Sequence, residues 1–531
     1  MRRFAATPAA ARSTTLMRSH LAVKLLALSC VVVFLSFSWQ AHKGFSLSDE
    51  GYLWYGAQRV TMGEIPIRDF LAYDPGRYYW SAAWMSVVGN SGIISLRASV
   101  AVFQALGLFA GLLLIASELG DFAVENVAFF ILSAAILLIW MYPRHKLFDI
   151  SSSIFLIGIL AALVRNPTAV RYFAAGMGVG LIAVFGRNHG IYGAIGSVGV
   201  MLWVSLRRTI GPAFPPGLAL FGAGLVVGFA PILIAAIFAP GFAAAFWESI
   251  LFLFEFKATN LPLPVPWPWT INYSALPLSD AIGVGLVGAF FVAIPVFVLS
   301  SLAWCFICRL QGRPVPPAFV AASFLALPYA HFAYSRADIG HLAQGIFSLL
   351  IGCLVLLATA PLAAKWPLGL ALLAASALTM HAVQPGWQCN ARVSCENVDI
   401  SGSTLALSSE TAKDVALIRT LAAKYAAHGE TFIATPLWPG AYALLERTSP
   451  MWESYALVPR APAFERREIE RIKAANPTFA IVVDQPLDGR EELRYRNTHP
   501  LTYRYIVDNF DRVADSPDPS YEIYKTRERD R

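Results

Sequence analysis

The chain has 531 residues, of which 56% are hydrophobic and only 14% charged. Soluble domains carry roughly 25% charged and about 45–50% apolar residues, so this composition, with a mean hydropathy of +0.55, excludes an ordinary soluble protein and indicates an integral membrane protein. The net charge of +7 reports membrane orientation first; no basic stripe with interleaved aromatics accompanies it, which excludes nucleic acid as a partner.

The N-terminus, MRRFAATPAAARSTTLMRSH, carries Arg2, Arg3, Arg12 and Arg18 ahead of the apolar run Leu21–Trp39. No convincing small-residue cleavage site follows, so the run reads as an uncleaved signal anchor with residues 1–20 in the cytoplasm. Spans need roughly 20 apolar residues, and about eleven are expected. After the first they are Leu96–Ser117, Glu125–Met141, Ile150–Val164, Tyr172–Phe185, Ile191–Leu206, Leu218–Ala239, Ile282–Ile307, Pro317–Phe332, Leu342–Ala360 and Pro367–Val383. Arg165 with Arg171, Arg207 with Arg208, Arg309 with Arg313, and Lys365 then fall on the side of the N-terminus, as the positive-inside rule requires. The acidic stretch Glu118–Asp121 counts little in that rule. An odd number of spans places the C-terminus outside.

Between the first two spans, residues 40–95 form a long outside loop in which Tyr52–Thr61 and Arg77–Val88 interleave Tyr and Trp with small residues. They read as helices lying at the membrane interface, joined by turn residues Gly63, Pro66, Pro75 and Gly76. The membrane domain is expected over 21–384. From 385 to 531 the composition is that of a soluble domain. Ser408–His428 has a helical period ended by Gly429, TFIAT (431–435) and TFAIVVD (478–484) read as buried strands, and Phe464–Ala475 as a polar helix. Strands alternating with helices predict a small extracytoplasmic α/β domain. Cys30, Cys305, Cys308 and Cys353 lie in apolar runs, where a thiol acts as a small hydrophobe; the CxxC formed by Cys305 and Cys308 has no second pair. Cys389 and Cys395 flank a short polar loop outside the membrane, where an oxidising compartment permits a disulfide.

Four outside loops break the positive-inside pattern with basic residues near the membrane. They hold Arg68 and Arg77; Arg144, His145 and Lys146 before Asp149; Arg187 and His189; and Arg336 beside Asp338 and His341. Any one of them fits a side chain snorkelling to water; four on one face point to a site. Basic groups gathered there suit a phosphate carried by a lipid. A carboxylate among them suits proton abstraction, and the adjacent Asp49 and Glu50 supply one.

The stretch SDEGYLWYGAQRVTMGEIPIRDFLAYDPGRYYWSAAWMSVVGNSGIISLR resembles the first periplasmic loop of GT-C glycosyltransferases that use polyprenyl-phosphate sugars, the superfamily of protein O-mannosyltransferases and lipid A aminoarabinose transferases. An acidic pair after the first span is followed by Gly63, Pro66, Asp69 and Phe70, then by an aromatic segment, Gly89, Ser91 and Arg97. The resemblance implies a polytopic α-helical GT-C-like fold and a hexosyl- or pentosyltransferase of the cell envelope. It also implies a polyprenyl-phosphate-sugar donor and a lipid, glycan or protein acceptor. The chain would sit in a bacterial inner (plasma) membrane with its C-terminal domain in the periplasm. Asp49 would be the base; Glu50, Asp69, Arg77 and Asp149 would contact substrates; Arg336 and His341 would contact phosphate. Asp74-Pro75-Gly76 stands where the family often has two prolines.

Each residue keeps a simpler alternative. Asp49 and Glu50 suit the first turn of a helix through the dipole, and Asp149 suits a helix cap with Ser151–Ser153. LPLPVPWPWT (261–270) fits an aromatic belt or a lid over a lipid chain. His189 and His341 have no recognisable metal spacing; no cofactor is required by any motif, and a divalent metal stays open. A transporter or flippase of a lipid-linked or anionic substrate explains the spans without requiring the acidic first loop. A sensor or assembly protein leaves the outside basic groups unexplained.

Overall fold

The computed structural model describes residues 8–119, 124–207, 210–257, 260–389, 394–514, 516 and 521–527. Arg2, Arg3, Asp121, Arg208, and residues 390–393 of the Cys389–Cys395 loop lie outside them, as do the side chains of Arg12 and Arg18. The described chain forms two compact units. The first comprises Met1–Trp39, Val100–Leu233 and Pro262–Gln384; the second comprises Gln40–Ser99, Ile234–Leu261 and Pro385–Arg531.

The first unit is helical, because its long apolar stretches leave backbone polar groups no partner in lipid except one another. The expected apolar segments fall on helices, one helix each except Leu218–Ala239 and Leu342–Ala360, which each run over two. Among the described residues, six helices are long and apolar enough to cross a membrane, or up to eight when each bent pair is one span. The bent pairs are Phe214–Gly228 with Ala230–Phe238, at 53°, and Ile339–Gly345 with Phe347–Thr359, at 50°. Val124–Trp140 and Ala169–Phe185 have 17 residues each, which at about 1.5 Å per residue falls short of a hydrocarbon core about 30 Å thick. Arg187–Ser205 opens on three polar residues, Arg187, Asn188 and His189. Helices Ala169–Phe185 and Phe214–Gly228 approach backbone to backbone: a methyl group on Gly176 would meet Phe221 O at 1.9 Å, and one on Gly228 would meet Met177 O at 2.0 Å. Gly176 with Gly180, and Gly224 with Gly228, give both helices the small-xxx-small surface that membrane helix pairs use.

The second unit joins the first long loop to the chain after residue 385. Strands β1 (Cys395–Ile400) and β2 (Ser403–Ser408) form a hairpin turned by Ser401 and Gly402, whose φ values of 48° and 79° suit the two-residue turn that matches strand twist. Strands β3 (Ile433–Thr435), β4 (Phe479–Val483), β5 (Phe510–Arg512) and β6 (Tyr521–Thr526) make a sheet of order β3-β4-β6-β5, parallel only between β3 and β4. Helices Pro439–Leu445 and Pro462–Ala475 lie in the connection from β3 to β4. Strands β3 and β4 and helices Ser409–Tyr425 and Pro462–Ala475 occupy the segments that periodicity marks; β1, β2, β5 and β6 are additional. Cys389 and Cys395 are bonded, with their Cα atoms 5.4 Å apart.

Helices Asp49–Thr61 and Pro75–Val88 coincide with the two aromatic segments of the first loop; the second exposes Tyr79, Val87 and Val88, whereas the first is not a surface helix. Tyr52, Leu53, Trp54, Tyr55 and Ala57 are all buried. Gly51 lets the first of these helices rest on Gly440, since a methyl group there would lie 2.5 Å from the Gly440 Cα. Trp54 Nε1 donates to Ser91 O at 2.7 Å, and Ser449 N donates to the Tyr55 hydroxyl at 2.9 Å. The aromatic alternation that suits a membrane interface is spent here on a protein core.

Candidate functional site

Within the second unit the acidic pair is divided. Glu50 is buried and takes a two-pronged ion pair from Arg97, with Nε to Oε1 at 2.8 Å and Nη2 to Oε2 at 2.7 Å. Arg97 also donates to Ala41 O and to Gly44 O, so this fork fixes the chain leading into helix Asp49–Thr61. Planar guanidinium–carboxylate pairing of this kind is geometrically demanding, and it gives Glu50 a holding role. Asp49 is half-buried, and its Oδ1 accepts a hydrogen bond from the Tyr455 hydroxyl at 2.8 Å.

A file of rings continues from there. Tyr455 packs on Tyr52 at 5.2 Å, Tyr52 meets Tyr73 edge-on at 4.7 Å, and the Arg77 guanidinium lies 4.9 Å from the Tyr73 ring centre. Asp49 and Arg77 are thus brought into one cluster. Burial pushes the Tyr52 phenol well above its usual range, reinforced by Tyr78, Tyr73 and Glu453; burial likewise raises Tyr78. Both stay protonated and act as neutral hydrogen-bonding groups. Arg68 is turned elsewhere: it forks onto Asp69 at 2.8 Å and reaches Pro240 O at 3.3 Å. Asp69 in turn accepts from Ile65 N at 2.8 Å, closing its own turn.

The first unit holds a second constellation. Asp149 sits in the first turn of helix Leu147–Arg165, where its Oδ1 lies 2.9 Å from His189 Nε2. His189 is fully buried, and its Nδ1 lies 2.7 Å from the Tyr329 hydroxyl. Asp149 and the Tyr329 hydroxyl thus hold the two ring nitrogens of His189. The Phe332 ring touches both the His189 ring, at 5.8 Å, and the His341 ring, at 5.6 Å. His341 Nδ1 lies 2.9 Å from Asp338 Oδ1, and Arg336 Nε donates to Asp338 Oδ2 at 2.8 Å. Asp149, His189, Arg336 and His341 therefore belong to one connected cluster. Arg144 and Lys146 stand in the single 3-10 turn that leads into the Asp149 helix, and Arg187 opens the His189 helix. Among the described residues, no group of three or more His, Cys, Asp or Glu is arranged to hold a metal ion.

Tyr455, Tyr329 and Asp338 act at these clusters without having been marked as site residues by the sequence. Tyr455 is 406 positions from its partner, and no local pattern signals such a contact. Asp338 was visible only as a neighbour of Arg336.

No family model and no curated protein matches the sequence. Among solved structures, the chain is similar to ArnT from Cupriavidus metallidurans bound to undecaprenyl phosphate, with a TM-score of 0.54 and 13% identity over 95% of this chain and 98% of that one. The apo state of the same protein gives a TM-score of 0.54 and 13% identity, covering 96% and 98%. The oligosaccharyltransferase of Archaeoglobus fulgidus gives a TM-score of 0.47 and 12% identity, covering 96% and 75%, too distant to carry an argument.

Proposed function

We propose that this chain, a multi-pass membrane protein with the fold of the GT-C glycosyltransferases, transfers a sugar from a polyprenyl-phosphate donor to an acceptor outside the cytoplasm. The acceptor is a lipid, glycan or protein and the sugar a hexose or pentose. The donor class is supported by the undecaprenyl phosphate bound to ArnT and by the basic residues of the first unit. The basic loops facing the N-terminal side support an inner-membrane orientation with the N-terminus cytoplasmic and the C-terminal region periplasmic.

The observation that carries the reading is the division of the acidic pair. Glu50 is engaged by Arg97 in a buried fork, while Asp49 is half-buried and accepts from the Tyr455 hydroxyl, which leaves Asp49 as the carboxylate of the pair proposed as the base. In the proposed reaction the Asp49 carboxylate takes the proton of the acceptor hydroxyl or amine. The acceptor atom bonds to the anomeric carbon, the bond from that carbon to the phosphate oxygen breaks, and the electron pair leaves with the polyprenyl phosphate. For the phosphate of the lipid donor, the first unit offers Arg336, His341, Arg144, Lys146 and Arg187 as positive or hydrogen-bonding groups. Asp149 and His189 hold the framework of that phosphate-binding cluster, and Arg77, over the Tyr73 ring, stands in the ring cluster beside Asp49. The test is consumption of isotopically labelled polyprenyl-phosphate sugars by purified protein in lipid. Release of polyprenyl phosphate coupled to a glycosylated product is expected; no binding of any lipid-phosphate sugar would make transport the leading reading.

A further inference from the structure

The C-terminal region supplies a side chain to the proposed base. We infer that Tyr455 is a positioning residue for Asp49, its hydroxyl fixing the orientation of the carboxylate through Oδ1. This rests on the transferase reading of Asp49 and extends it to a segment with no catalytic motif of its own.

The contact is built from both sides. Tyr455 Oη donates to Asp49 Oδ1 at 2.8 Å while its ring lies on Tyr52, three residues along the same helix as Asp49. The strand of chain carrying Tyr455 is fastened to the first loop before it arrives. Ser449 N donates to the Tyr55 hydroxyl, Trp452 Nε1 donates to Ile67 O at 3.0 Å, and Leu71 N donates to Trp452 O at 2.8 Å. Behind it the buried Glu453 carboxylate is held by Arg460 at 2.6 Å and His499 at 3.0 Å. Arg460 lies in turn over the Phe252 ring at 3.7 Å. A side chain anchored through so many points arrives with little orientational freedom left to lose, which is what a supporting residue contributes to a catalytic group.

A hydrogen bond donated to the ionised form also lowers a carboxyl's pKa. Charged and titratable groups around this end of the helix include Glu50 paired with Arg97, Tyr52, Tyr73 and Tyr78, Arg77, and Glu453 with Tyr455 from the C-terminal region.

Tyr455→Phe keeps the ring on Tyr52 and removes only the hydroxyl. Turnover should fall about tenfold with the KM for the lipid donor unchanged. The acid limb of the kcat profile should move up by about one pH unit, a tenfold change in proton affinity. The Asp49 carboxyl is read independently of activity from pH-titrated infrared difference spectra of each protein against its own Asp49→Asn counterpart; its midpoint should rise in Tyr455→Phe. Tyr503→Phe, which removes a phenol that bonds Glu522 instead, should match wild type in every readout. An unchanged Asp49 midpoint with unchanged kcat overturns the positioning role. A raised KM with unchanged kcat also overturns it, by making Tyr455 a binding residue. A wild type that binds and consumes no lipid-phosphate sugar, yet shows the midpoint shift, overturns the transferase reading instead, so the two failures are distinct.

Discussion

Asp49 and Asp149 are both aspartates in the first turn of a helix, and the molecule treats them in opposite ways. Asp49 is half-buried and touches a phenol delivered from the far end of the sequence. Asp149 is buried and touches an imidazole that is itself buried and backed by a second phenol. The cap positions themselves, Ser48 and Lys146, form no side-chain cap bond, and both aspartates stand where the helix dipole favours a carboxylate. A carboxylate that must exchange protons with a visiting substrate needs an exposed edge. One enclosed with a histidine and a tyrosine is placed to tie helices together, because each member of a buried polar network relies on the others.

The sharpest way to break this comparison is Asp49→Asn, which keeps the shape and the contact with Tyr455. It should lower turnover by about 10²–10⁴-fold with lipid-donor binding and folding unchanged, measured by transfer rate, donor titration and thermal unfolding. Near-normal turnover would remove Asp49 from the base role. Its neighbour should fail differently. Arg97→Ala strands Glu50 as a buried charge, and breaking such a pair costs about 3–5 kcal/mol. Loss of thermal stability should therefore precede or accompany any loss of transfer; a fully stable Arg97→Ala protein would show that the Glu50 fork does not hold the loop.

Asp149→Asn tests the other half. Leaving His189 imperfectly paired should cost about 1–3 kcal/mol of stability, with turnover falling far less than in Asp49→Asn. A stable Asp149→Asn protein that has lost turnover by more than a hundredfold would transfer the base role to Asp149.

How far the sequence leads is seen at these same residues. The apolar runs were legible because membrane helices announce themselves by length and by the basic residues at their ends. Asp49, Asp149, His189, Arg336 and His341 were legible as charges in unexpected places. Their partners were not. Tyr455 and Tyr329 are ordinary aromatics in their own segments and acquire meaning only when the chain has folded. Tyr52, Trp54 and Tyr55 point the same way: one aromatic pattern serves a membrane interface or a core, and only the presence of Gly440, Ser449 and Tyr455 against them decides which. The Gly176–Gly180 and Gly224–Gly228 pairs lay in plain view and become informative through the contact they permit.

The smallest effect expected concerns two carboxylates in the support behind Tyr455, and it separates that support from the base. Glu453 is fully buried; burial raises its pKa, but the His499 hydrogen bond and the Arg460 charge outweigh it, and the net value lies below the usual carboxylate range. Glu468, whose Oε2 accepts from Glu453 N at 3.0 Å, is pushed the other way by burial, and its hydrogen bonds and Arg471 do not fully offset the rise. A carboxyl with a depressed folded pKa adds stability that is complete above its unfolded value, about 4.3, and is lost as pH falls through the folded value. A raised folded pKa does the reverse: stability is gained as pH falls from the folded value toward the unfolded one. Glu453→Gln should therefore flatten the acid-side loss of melting temperature, while Glu468→Gln should steepen the net acid-side loss by removing the opposing term. Thermal unfolding between pH 7 and 3.5 measures both slopes. Parallel slopes in the two variants would mean that the paired shifts do not control this segment, and that Tyr455 is held in place by the Trp452 and Ser449 contacts alone.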